Sequence, residues 1–184
     1  MTRTVGGYAA IKRMSPTTNA GWDSYIEWAR LPHLTEVVTL DSLLCPWLIG
    51  LDDAPFELFV EAALQVVLFA ELGSLLARPL PASAQVIYVV VKPAAESAAP
   101  AEGGFEKCGY DLLECGGSTS ALTNCGGFDE TFLGDELNVY GLLDDLASAQ
   151  RIAAALPINN PHVPHALVDI FEIWKMVQTE KAPT

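Results

Sequence analysis

Positive charge is scarce in this sequence. Ten Lys and Arg stand against 23 Asp and Glu in 184 residues, for a formal net charge of −13. A field of that sign repels a nucleic-acid backbone, and no Lys/Arg cluster offsets it, so neither DNA nor RNA is expected as a partner. The shortage is also uneven. No Lys or Arg lies between Arg30 and Arg78, where seven carboxylates fall, and none lies between Lys107 and Arg151, where eight more fall. Such runs either solvate the surface or form an acidic face that steers a basic protein partner.

The familiar ligand loops are missing too. There is no Walker A pattern, no G-x-G-x-x-G, no H-E-x-x-H, no EF-hand loop and no G-x-S-x-G, so nucleotide binding by the commonest loops is set aside and no cofactor is expected. The four cysteines contain no C-x-x-C; the last three follow C-x₆-C-x₉-C. Paired short spacings are the mark of structural zinc and of thioredoxin-like redox sites, so neither is expected.

Long apolar runs are lacking as well. Residues Met1 to Met14 hold Arg3, Gly6, Gly7, Lys12 and Arg13 and no continuous hydrophobic stretch of the kind a signal peptide needs. The most hydrophobic segment, Leu58 to Ala77, is interrupted by Glu61, Gln65 and Glu71, which would be expensive at mid-bilayer. These absences point to a cytoplasmic protein with no membrane association, whose thiols stay reduced.

What is present is hydrophobic content of 51%, enough for a sizeable core, and residues 1–184 read as a single domain. The first twenty residues show little periodicity and read as an irregular lead-in. Trp22, Tyr25, Ile26 and Ala29 are spaced for a short helix ended by Pro32. Glu36 to Leu40 reads as a strand, and Leu43 to Gly50 as a buried connection. Asp53-Ala54-Pro55 is a helix start, and the pattern predicts an amphipathic helix over 54–78. Gln85 to Lys92 is the strongest strand. Residues 93–104, rich in Ala, Pro and Gly, read as an exposed internal loop.

Gly116-Gly117 between 108–115 and 118–125 is a hairpin signal. In that register partner numbers sum to 233 and Cys108 faces Cys125. Asp144 or Asp145 caps a helix over 145–157. Residues 164–178 fit a helix by length and a strand by composition, with a slight lean to helix. The fold class is α+β: a small mixed or antiparallel sheet with a Gly-Gly hairpin, covered on one face by two or three amphipathic helices.

Few side chains suggest chemistry. Cys125, followed by two glycines whose amides are accessible, has the setting of a nucleophile. His162 and His165, spaced i, i+3 on a Pro-bracketed loop, are the candidate bases, but no adjacent carboxylate completes a metal site. The adjacent pairs Asp129-Glu130 and Asp135-Glu136 suit an acidic contact surface better than a catalytic dyad. Trp28 sits off the apolar stripe of its helix, as a binding hot spot would. The favoured expectation is therefore a non-catalytic acidic domain of the immunity, inhibitor or assembly-factor type, engaging a basic protein through Trp28, Asp129, Glu130, Asp135 and Glu136. The alternative is a small hydrolase or transferase built on Cys125 or on a carboxylate–histidine pair.

Overall fold

A computed structural model describes residues 5–50, 59–61, 66–114, 119–124, 134–159 and 168–177. Its elements are β1 (Val5–Lys12), α1 (Trp22–Ala29), β2 (Phe59–Glu61), β3 (Val66–Leu68), α2 (Leu72–Leu76), β4 (Ala84–Val91), β5 (Phe105–Glu114), a 3-10 turn (Gly134–Glu136), α3 (Leu146–Asn159) and β6 (Val168–Met176). Four strands make one sheet in the order β1-β4-β6-β5. Every neighbouring pair is antiparallel. β2 and β3 form a separate antiparallel pair. With three helices beside the sheets, the fold is α+β.

The alternation of strand side chains divides the core in two. Ala9, Ile11, Ile87, Val89, Phe171 and Ile173 point to one side, where Ala149, Ile152 and Leu156 of α3 and Trp22 of α1 join them. Tyr8, Ala10 and Val86 point to the other side, against Val67, Phe69, Leu72 and Leu75. β4 is therefore apolar on both faces, which explains its unbroken hydrophobic run. Helices were expected on one face, but α2 contributes to the second cluster and α1 and α3 to the first.

Several elements differ from expectation, each for a tertiary reason. The lead-in is β1, which pairs with all of β4 from Val5↔Val91 to Lys12↔Ala84. Gly7 interrupts its pattern because a Cβ there would lie 2.8 Å from the Leu68 Cβ. The helix expected over 54–78 is replaced, in its described part, by β2, β3 and the five-residue α2. Phe69, beside β3, exchanges backbone hydrogen bonds with Tyr8 at 2.8 and 2.7 Å, and this pairing overrides the helical spacing of Glu61, Gln65 and Glu71. The Asp53-Ala54-Pro55 start lies outside the described residues.

Glu36 to Leu40 is buried, but it makes one isolated bridge, Val37 to Met14, instead of a strand. Its β-branched content reflects burial. The stretch 43–50 is only half-buried: Leu43 is exposed and Cys45 fully buried. α3 runs two residues past Pro157, and Asp145 caps it by accepting the Ser148 amide at 2.8 Å. Residues 93–104 hold no helix or strand, and most are exposed, although Pro93 at their start is buried.

The last element is a strand, β6, not the helix towards which length leaned. Its charges fall on both faces because each meets an opposite charge. Asp169 pairs with Lys92 at 3.0 Å. Lys175 pairs with Glu36 at 2.9 Å and Glu106 at 3.2 Å. Glu172, fully buried, lies 3.3 Å from Lys107 and accepts a 3.3 Å hydrogen bond from the Tyr110 hydroxyl.

Of the expected second hairpin strand, 118–125, the described residues 119–121 pair with β5 in the expected register, Leu113 opposite Ser120, but the pairing goes no further. Glu114 donates to the Thr119 carbonyl and Ala121 to the Leu112 carbonyl, but residues 121–123 then turn away. The place opposite Tyr110 belongs to Leu143, through hydrogen bonds of 2.8 and 3.0 Å. Cys108 sits at a β-bulge, and its carbonyl accepts a 2.7 Å hydrogen bond from the Asn138 side chain. Gly116, Gly117 and Cys125 lie outside the described residues, and with them the Cys108/Cys125 adjacency. The outer edge of β1 is likewise taken. Tyr8 pairs with Phe69, the Lys12 amide donates to the Pro46 carbonyl, and the Leu48 amide donates to the Ala10 carbonyl.

Candidate functional site

Of the residues singled out by sequence, Cys125, His162, His165, Asp129 and Glu130 lie outside the described residues. Trp28, Asp135 and Glu136 are described. α1 orients Trp28 through an aromatic ladder. Trp22 is buried, Tyr25 lies tilted against it with 6.1 Å between ring centroids, and Trp28 lies tilted against Tyr25 at 6.2 Å. The Tyr25 hydroxyl donates to the Thr123 carbonyl at 3.0 Å, which pins the middle ring and hence the helix. Trp28 at the outer end is 51% exposed. At about 100° per residue, Asp23, Glu27, Ser24 and Trp28 follow one another around the exposed side of the helix.

α1 ends at Arg30 in a left-handed conformation, and the chain then lies along residues 137–140. His33 bonds the Leu137 carbonyl at 2.8 Å. The amides of Thr35 and Glu36 donate to the Val139 carbonyl, and that of Val38 to the Tyr140 carbonyl. This zipper carries the 3-10 turn up against the end of α1: a Cβ on Gly134 would lie 3.0 Å from Leu31 and 3.7 Å from the Arg30 carbonyl. Asp135 is exposed on that turn, and Val139 beyond it is 42% exposed. The fold thus brings the Trp28 end of α1 beside the 134–139 segment, although the two are about a hundred residues apart in sequence. Glu136 is engaged locally by Arg151. Asp23, Glu27 and Asp135 make no ion pair with a described residue.

Beneath this surface lies a polar network that the sequence reading did not single out. Asp41 and Asp111 are both fully buried. Asp41 accepts hydrogen bonds from the amides of Leu43, Leu44 and Ser120 and from the Asn124 side chain, at 2.8–3.2 Å. Asp111 accepts from the Leu112 amide at 2.9 Å, the Ser120 hydroxyl at 2.7 Å and the Thr39 hydroxyl at 2.5 Å. Two loops, 39–45 and 119–124, are thereby tied to β5. Desolvation raises the Asp111 carboxyl to about 6, against the pull of its hydrogen bonds and with a small addition from Asp41. The signals were legible: Asp41 is followed by Ser42 at the start of a turn, and Asp111 sits within the stretch 108–113 of β5, all of it buried.

The arrangement joins loops. Each carboxylate oxygen of Asp41 and Asp111 already accepts a hydrogen bond. Burial pushes the thiols of Cys45 and Cys108 up to about 12, which keeps both protonated and unreactive at neutral pH. Among the described residues, no group of three His, Cys, Asp or Glu side chains is gathered to hold a metal ion, and no helix is long and apolar enough to cross a membrane. No family model, curated protein or solved structure matches the chain.

Proposed function

We propose that this protein is a non-catalytic binding domain that engages a basic protein partner through the exposed side of α1 and the adjoining 134–139 segment. The observation that carries this reading is a half-exposed tryptophan, held against neighbouring rings, beside carboxylates that pair with no cation among the described residues. A rigid aromatic anchor supplies contact area at little entropic loss, and the unpaired Asp23, Glu27 and Asp135 supply attraction and steering. The runs without Lys or Arg, between Arg30 and Arg78 and between Lys107 and Arg151, extend the same sign of potential along the chain.

The test compares capture by the wild-type chain with capture by Trp28→Ala and by the double variant Glu27→Lys/Asp135→Lys. Wild type is expected to retain a basic protein at low salt and to release it as salt rises. Both variants are expected to lose it while keeping the wild-type unfolding midpoint, since all three side chains are exposed. Retention of the same proteins by all three chains would overturn the proposal.

A further inference from the structure

Beyond the end of β1, Lys12 and Arg13 line a cleft of about 260 Å³, together with Met14, Thr18, Asn19 and residues of the 43–46 turn. Two adjacent cations at one opening are exceptional in a chain of net charge −13. Elsewhere Lys92, Lys107, Arg151 and Lys175 each sit on a carboxylate. Lys12 is exposed and pairs with no described carboxylate. Arg13 is only partly neutralised. Its Nε is buried 3.5 Å from Glu36 without a hydrogen bond, while Lys175 holds the same carboxylate at 2.9 Å.

The rest of the cleft is fixed by local hydrogen bonds. The Thr18 hydroxyl donates to the Arg13 carbonyl at 2.9 Å, and the Ser15 amide donates to the Thr18 hydroxyl at 3.0 Å. The Asn19 carbonyl oxygen accepts the Gly21 amide at 2.8 Å, which leaves its NH₂ as a donor. Lys12, Arg13 and Asn19 thus line one small opening. Its volume falls below the roughly 300–1,000 Å³ typical of drug-sized ligands, so the occupant is small. We propose that this cleft binds the phosphate group of a small phosphate monoester. Lys12 would act as a point charge and Arg13 as a planar fork, the two chemistries that proteins use for phosphoryl oxygens. A dianion answers both cations, whereas a monocarboxylate answers one.

The experiment is isothermal titration of the full chain with glycerol 3-phosphate, inorganic phosphate and acetate at low ionic strength. Expected is saturable one-site binding of both phosphates, with acetate at least about tenfold weaker. Lys12→Gln and Arg13→Gln should each weaken phosphate binding about tenfold or more, the loss of a charge-assisted contact. Lys92→Gln changes net charge equally at a distant place and should leave binding as it was. Lys12 is exposed, so its variant is expected to keep the wild-type circular dichroism even if Arg13→Gln does not. The proposal is overturned by no saturation up to about 10 mM phosphate, by equal binding of acetate, or by an equal effect of Lys92→Gln.

Discussion

Replacing Asp111 with Asn should remove a pH dependence of stability that one buried carboxyl imposes. Asp111 is fully buried, and desolvation raises its carboxyl from 3.8 to about 6. The folded state therefore binds the proton more tightly than the unfolded state does. Below the unfolded value both states are protonated and the fold carries no penalty. Between that value and about 6 the unfolded chain ionises first, and stability falls as pH rises. Above about 6 the full penalty is present. A difference of about 2 pK units at 1.36 kcal/mol each amounts to about 3 kcal/mol. Asn preserves the shape and can still accept from Ser120 and Leu112, with no charge to desolvate. The assay is urea unfolding followed by tryptophan fluorescence, for both chains, at several values between pH 4 and 7.5. Every other titrating group cancels in the difference between them. The stability of Asp111→Asn relative to wild type should rise by about 2.5 kcal/mol from the acid to the neutral end. A pH-independent difference, or one of opposite sign, would refute the reasoning.

Other substitutions probe other parts of the argument. Gly109 has φ of +135° in the bulged part of β5, and a Cβ there would meet the Leu143 carbonyl at 2.5 Å. Gly109→Ala should lower unfolding free energy by about 2 kcal/mol or more, read from the shift in urea midpoint. Lys107→Met strips the partner from the fully buried Glu172 and should destabilise by about 3 kcal/mol, while the double change Lys107→Met/Glu172→Gln should recover much of that loss. Iodoacetamide at pH 8 should leave Cys45 and Cys108 unmodified in the native chain and label both in urea, with peptide mass mapping as the readout.

Local periodicity revealed the elements whose neighbours agree with it. β4 is apolar on both faces, α3 carries the stripe Ala149, Ile152 and Leu156, and α1 buries Trp22 while exposing Trp28, so their patterns stand out without a partner in view. β1 was hidden because Gly6 and Gly7 break its alternation where the Tyr88 ring and Leu68 need room. β6 looked unsuited to a strand because its ion partners come from as far away as Glu36 and Lys92. The 59–68 region satisfied a helical spacing by coincidence, and only its pairing with Tyr8 decides against it. The same holds for the sites. Trp28 could be picked out from its place on one helix, whereas the Lys12–Arg13 cleft exists only because the 43–46 turn folds across the end of β1.

The closed margins of the four-stranded sheet set the way this protein can meet others. Phe69, Pro46 and Leu48 occupy the backbone groups along β1, and Leu143, Ala121, Thr119 and the Asn138 side chain occupy those along β5. Along these stretches, among the described residues, the backbone groups that a further strand would need are already engaged. Those contacts oppose strand addition at both margins of this sheet, whose central strands are among the most β-prone segments in the chain. The backbone, in short, is spoken for, and recognition on this sheet's margins is left to side chains.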